Sequence, residues 1–228
     1  MKLAIFGATG GTGRELTKQA TAAGHEIQAL TRSPGKLPSN DAVTAIQGNV
    51  LEPEAVSATV DGADAVVCLL GRTPNNPEDV VSRGTENIVD SMDEQGVERL
   101  VVLTSMGLGA SVRQVLWYVR IANVTILQDL MADKARQEEI VMGSDLDWTI
   151  VRPGGLTDGP RTGEYVHGVD VDATAGPISR ADVADLLLQV VQTDDYLREA
   201  PVVTTRRGVD AEFLWEQVTT VSQRLRNK

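Results

Sequence analysis

The sequence predicts a single doubly wound α/β domain, a parallel β-sheet with helices on both faces. Short, continuously apolar runs alternate with amphipathic helical segments along nearly the whole chain, the pattern of parallel strands joined by crossover helices. The first apolar run breaks into four glycines in seven residues and resumes at once as a helix. At 228 residues, with 42% hydrophobic content, the chain suits one domain with a sizeable core.

The elements follow in order. KLAIF, residues 2–6, is a strand, and TGRELTKQATAAG a helix. EIQAL and AVTAIQ are the next strands, EPEAVSATVDG a short helix and ADAVVCLL a buried strand. PEDVVSRGTENIVDSMDEQG places Val80, Val81, Ile88, Val89 and Met92 at helical spacing and ends at Gly96. ERLVVLTS is a strand, and a long helical region runs from Ser111 to Gly143. There Val112, Leu116, Val119, Leu127 and Leu130 share one face, with Trp117 and Tyr118 off it. This is a core-facing helix, or else its first half walls a pocket or contacts a second copy. Arg113 and Arg120, without a wider basic face, argue against a membrane role. LDWTIVRP is a strand. SRADVADLLLQVVQT is a helix with Ser179 as N-cap and Asp182 three residues on, an acidic relative of the capping box. APVVTT is a last strand and DAEFLWEQVTTVSQRLR a terminal helix. No internal repeat or linker divides the chain.

The net charge of −11 argues against nucleic-acid partners, which need basic patches. Lysine occurs only at positions 2, 18, 36, 134 and 228, a balance resembling a salt-adapted surface. No signal-peptide pattern and no apolar run of about 18 residues is visible, so no membrane span is expected. The single cysteine, Cys68, sits in an apolar run, which predicts a buried, reduced thiol and a cytoplasmic protein. Cysteine and histidine are too few for a zinc site, the aspartates lack EF-hand spacing, and no metal is expected. No G-x-S-x-G elbow is present. His25 falls in the turn before the second strand, a structural or exposed position. His167 and Arg161 fall in a turn-rich stretch, where solvated positions are favoured over contact with a substrate.

GATGGTG places Gly7, Gly10 and Gly13 between a strand and a helix. Gly7 permits the tight turn, Gly10 lets backbone N–H groups approach a pyrophosphate, and Gly13 lets the helix pack on the strand. The helix N-terminus, including Gly11, offers donors and a positive dipole end, and Thr9 and Thr12 add hydroxyls. This is a Rossmann-type dinucleotide site. The second strand ends in Thr31 and Arg32, with no acid between Ile27 and Ser39. An acid there serves the ribose 2′-hydroxyl of NAD, whereas an arginine suits a 2′-phosphate. NADP(H) is therefore expected over NAD(H), with Arg32 the main contact, Ser33 a donor and Lys36 a second cation. The alternative for Arg32 is a solvated surface arginine.

These stretches, with GNVLEPEAV, LVVLTSMG, ADKARQEE, LDWTIVRPGGLTDGPRTGEY and ISRADVA, resemble the atypical NAD(P)H-binding branch of the short-chain dehydrogenase/reductase superfamily. The likeness is to the biliverdin reductase B/flavin reductase group and the NmrA-like proteins. It implies that Asn49 and Val50 flank the adenine, and that Leu69, Leu70 and Gly71 lie along the ribose. It also implies that Pro153, Gly154, Gly155 and Leu156 pass beside the nicotinamide, and that Ser105 is the active-site serine. A small substrate-side region would form from about 106–131 and 154–178. The superfamily's Tyr-x-x-x-Lys pair is broken here: Lys134 fills the lysine position, but Leu130 stands at the tyrosine, and leucine transfers no proton. The alternative for Lys134 is a helix-surface lysine near Glu138.

Two functions stay open. One is an NADPH-dependent reductase passing hydride to a small planar acceptor of the flavin, quinone or biliverdin class, with FMN or FAD as substrate rather than tightly held group. The other is a non-catalytic NADP(H)-sensing regulator of the NmrA-like kind. A sugar epimerase is disfavoured by the missing tyrosine and the short C-terminal part. Either monomer or homodimer fits.

Overall fold

β1 (Lys2–Phe6) has no polar side chain from Leu3 onward because both its faces are covered: Leu3, Ala4, Ile5 and Phe6 are all fully buried. In this computed structural model, which describes residues 1–73, 76–114, 128–171 and 173–205, it lies inside an eight-stranded sheet. In chain order the elements are β1, α1 (Gly11–Ala22), β2 (Glu26–Thr31), β3 (Val43–Gln47), α2 (Pro53–Val60), β4 (Ala65–Cys68), α3 (Val80–Gln95), β5 (Arg99–Leu103), α4 (Gln128–Met142), β6 (Asp147–Pro153), β7 (Gly155–Thr157), β8 (Tyr165–Gly168), β9 (Pro177–Ser179), α5 (Arg180–Gln192) and β10 (Val202–Thr205). The sheet order is β3-β2-β1-β4-β5-β6-β10-β8, and β7 pairs with β9 separately. The order reverses between β1 and β4, which opens a crevice at their C-terminal ends.

Alternate residues of each strand serve opposite faces. Leu3 and Ile5 pack with Leu16 and Ala20 of α1 and with Leu186 and Leu187 of α5. Ala4 and Phe6 face α2, α3 and α4 through Val56, Ile88, Met92 and Val141. The α3 helix stops where Gly96 adopts a left-handed φ of 67°, as its sequence position predicts.

Two features differ from the sequence reading. β8 is antiparallel to β10, so the sheet is not wholly parallel. No crossover helix separates β6 from β8, so the chain enters β8 from the edge at which it left β6. The helical region expected over 111–143 starts as a 3-10 turn at Gly109–Gln114 and is α-helical over Gln128–Met142. Its stretch 115–127, with Leu116, Trp117, Tyr118, Val119 and Leu127, lies outside the described residues, as does the expected terminal helix over 210–226.

Candidate functional site

Beyond the C-terminal ends of β1, β2 and β4 lies a cleft of about 510 Å³. Gly7 leaves β1 with φ +94°, and a Cβ there would stand 2.6 Å from the Leu69 carbonyl oxygen. At Gly13 a Cβ would come within 2.2 Å of the Gly7 oxygen, so glycine is what lets α1 pack so close to the turn. The N-cap of α1, Gly10, is extended; no side chain caps the helix and no acid lies in its first turn. Its first N–H groups therefore point at the cleft without a protein anion to meet them.

Gly7, Thr9, Gly10, Arg32, Lys36, Asn49, Val50, Leu69, Leu70 and Gly71 all line this cleft. Ser33 does not: it is exposed beside the cleft, and its N–H is held by Thr31 Oγ1 at 3.0 Å. Thr12 is buried within α1 rather than open to the cleft. The Asn49 amide oxygen accepts from the Leu51 N–H at 3.2 Å, which fixes its side chain beside the floor. A Cβ on Gly84 of α3 would meet Val50 at 2.7 Å and Leu70 at 3.0 Å, so this glycine lets α3 close that floor from behind.

Among the described residues the wall is lined by four cations, Arg14, Arg32, Lys36 and Arg72, and by no carboxylate, although Glu52 accepts from the Asn49 N–H and Glu78 pairs with Arg72 from beside it. In a chain of net charge −11 this is a local reversal of sign. Arg14 donates to the Thr9 carbonyl at 2.8 Å, and Arg32 to Asn76 Oδ1 at 2.6 Å. Arg72 pairs with Glu78 at 2.8 Å. The charge of this wall suits an anion.

The chain matches the NAD(P)H-binding family over residues 7–194. It belongs to that family. An uncharacterized chloroplastic protein of Arabidopsis thaliana is 29% identical over 209 residues, covering 85% of this chain and 73% of the relative. Two solved structures share the fold: ChuY, an anaerobilin reductase from Escherichia coli O157:H7, with TM-score 0.78, 22% identity and coverage of 92% and 100%, and a short-chain dehydrogenase/reductase from Veillonella parvula in complex with NADP, with TM-score 0.77, 17% identity and coverage of 90% and 94%. Among the described residues of this NAD(P)H-binding protein no helix is long and apolar enough to cross a membrane. No group of three or more His, Cys, Asp or Glu side chains among them could hold a metal ion.

At the end of β5 the fold brings Ser105 and Lys134 to one strand terminus. Lys134 Nζ donates to the Leu103 carbonyl at 3.2 Å, and Ser105 Oγ donates to the Met106 carbonyl at 3.1 Å. Burial lowers the Lys134 pKa, against the opposing pull of Cys68, Glu138 and Asp133. The surface-lysine alternative is thereby corrected: Glu138 is engaged elsewhere, taking Arg152 at 2.8 and 3.0 Å and the Thr104 hydroxyl at 2.7 Å. On the other side Asp133 accepts from the Val81 and Ser82 N–H groups, both at 3.0 Å, and so caps α3 from a neighbouring helix. Gln137 donates to Thr85 at 2.9 Å. Lys134 thus sits on a helix pinned on both sides. Leu130, one turn earlier, is half-buried.

The strip after β6 is held by the chain itself. Gly154 and Gly155 are expected to admit a ligand, but the close approach is made by the chain itself. A Cβ on Gly154 would stand 2.3 Å from the Gly176 oxygen, and the Gly155 N–H donates to that same oxygen at 2.9 Å. The Pro153 carbonyl takes the Met106 N–H, and Leu156 packs against the core on the α1 and α5 side. None of these four lines the cleft at the ends of β1, β2 and β4, and neither do Ser105 and Lys134.

The histidines and Arg161 are also accounted for. His25 is buried, its Nε2 taking the Gln192 amide at 2.6 Å, and burial lowers its pKa. His167 is half-buried on β8 against the Tyr196 hydroxyl at 2.9 Å, not solvated. Arg161 pairs with Asp185 at 2.7 Å. Cys68 is fully buried, and burial raises its thiol pKa. Sequence reasoning missed Arg14, Arg72 and Asn76. Arg14 was readable, because it follows Gly13 directly in the first turn of α1. Asn76 was not, because it reaches Arg32 across 44 residues of chain.

Proposed function

We propose that this protein is an NADPH-dependent reductase that passes hydride to a small planar acceptor of the flavin, quinone or biliverdin class. The observation that carries the reading is the wall of the cleft at the end of β2: among the described residues Arg32 and Lys36 line it there and no carboxylate does. That arrangement favours a 2′-phosphate over a bare ribose hydroxyl. Arg32 would exchange Asn76 for the phosphate, and the N–H groups at the start of α1 would take the pyrophosphate.

When bound, NADPH supplies the hydride. Ser105 Oγ turns from its bond within the strand end to donate to a carbonyl of the acceptor or to the carboxamide. Lys134 holds the ribose side of the site. The acceptor's proton would come from water, so no protein acid would be needed at the Leu130 position.

Leu130 also favours a second reading, an NADP(H)-sensing regulator that binds and does not reduce. One experiment separates the two: NADPH oxidation by the purified protein, followed by absorbance with flavin, quinone and biliverdin acceptors, with NADH as control. Anaerobilin joins the acceptor set because ChuY shares the fold. Saturable, acceptor-dependent turnover favouring NADPH supports the reductase. NADPH binding without turnover on any acceptor supports the sensor.

A further inference from the structure

Arg180 is the first residue of α5, yet its side chain lies across the first turn of α1. A Cβ on Gly11 would stand 2.5 Å from Arg180 Cδ and 2.7 Å from its Nε. The approach is anchored at its base. The Ser179 hydroxyl accepts from the Asp182 N–H at 2.9 Å and starts α5 in a fixed place. The Gln19 amide donates to the Ala181 carbonyl at 2.9 Å and ties α1 to α5.

This is a costly place for a cation. Arg180 stands at the positive end of α1's dipole and begins the positive end of its own helix. The α1 terminus has neither a side-chain cap nor an acid in its first turn. The carboxylate that answers Arg180 is Asp158, at 2.6 Å, whose side chain is 92% exposed against 27% for Arg180. An ion pair that open to water holds its partners weakly. Two helix N-termini and a guanidinium converge on the ground between Gly11 and Arg180, and a solvated carboxylate on the loop after β7 answers them.

The geometry points to Arg180 as a ligand of the cofactor pyrophosphate, exchanging Asp158 for it when NAD(P)H binds. The inference rests on the dinucleotide reading of the cleft. It assigns Arg180 a role that Arg32 cannot share, because the pyrophosphate is common to NADH and NADPH. Displacing Asp158 also frees the start of loop 158–164 as far as Pro160, whose carbonyl accepts from the Ser179 hydroxyl at 3.1 Å. The second half stays tethered, because Asp182 accepts from the Thr162 and Gly163 N–H groups at 2.6 and 2.9 Å.

The test is direct binding of NADPH, NADH, ADP-ribose and adenosine 2′-monophosphate to the wild type, Arg180→Gln, Arg180→Lys and Asp158→Asn. Arg180→Gln should weaken the first three by one common factor of about tenfold or more and leave the monophosphate unchanged. Arg180→Lys should recover part of that loss, and Asp158→Asn should tighten the same three about twofold. Unchanged affinity for NADPH and ADP-ribose in Arg180→Gln overturns the assignment while the dinucleotide reading stands. Equal loss for the monophosphate also overturns it, by showing a general disturbance of the fold. A wild type that binds none of the four overturns both.

Discussion

Arg32 and Lys134 show what a single position can do in this protein. Arg32→Glu should weaken NADPH by about tenfold to a hundredfold, the worth of a charge-assisted bond, and leave NADH within about threefold. Titration of each nucleotide against the protein's fluorescence checks it, and equal losses would remove the 2′-phosphate assignment. Lys134 makes a different prediction. Burial lowers its pKa, so the folded chain releases this proton more readily than the unfolded one. Keeping it charged costs stability below the folded pKa, and the cost fades as pH rises from there toward the ordinary value of about 10.4. Lys134→Met should therefore raise the melting temperature at pH 7 and raise it less at pH 10. Gains of equal size would trace the effect to packing instead of charge. Arg32 was legible in the sequence because its meaning is local, the position just past the strand that follows the glycine turn and its helix. The burial of Lys134 was not, because its surroundings come from β4, β5 and α3.

Helices here are joined by side chains that cap a neighbour. Asp133 belongs to α4 and closes the N-terminus of α3 with two charge-assisted bonds. Asp133→Ala should cost about 2 kcal/mol, comparable to losing a strong N-cap together with its charge. Thermal melts measure that loss, and Asp133→Asn, with one acceptor oxygen, should fall between. Turnover should drop with Asp133→Ala as well, because Lys134 is the next residue on α4. Asp182 plays the matching part for loop 158–164. Burial by itself would raise its pKa, but the Gly163 and Thr162 N–H groups and the Ser179 and Thr162 hydroxyls prevail and lower it. The tether is thus whole above the ordinary aspartate range and fails as pH falls through the lowered value. The Ser179–Asp182 spacing marked the start of α5 correctly. It could not reveal that the Asp182 carboxylate turns to a loop about 20 residues upstream. The turn residues of 157–164 likewise hid β8, since an antiparallel edge strand with half-buried residues carries no continuous apolar run.

The whole molecule carries two opposed charge distributions. The chain has 32 acids to 21 bases, whereas the described residues that line the cleft include four cations and no carboxylate. Salt should therefore act in two directions. Added KCl screens the self-repulsion of the acidic surface and should raise the melting temperature. The same KCl screens the cleft and should weaken NADPH. Melts and nucleotide titrations across one KCl series check both, and trends of the same sign would refute the division. The fold class and the glycine turn that opens the cleft were readable because both are patterns along the chain, whereas the order of strands in the sheet was not. Arg180 over Gly11 was not, since 169 positions separate two residues that α1 and α5 bring into contact. The thiol of Cys68 lies in the middle of this arrangement, fully buried one residue before the Leu69 wall of the cleft. As the sole cysteine it is a built-in clock. A thiol reagent can label it only when the sheet centre opens, so the labelling rate of the unmodified protein times that opening, and any nucleotide that clamps the cleft will slow the clock by its own binding energy.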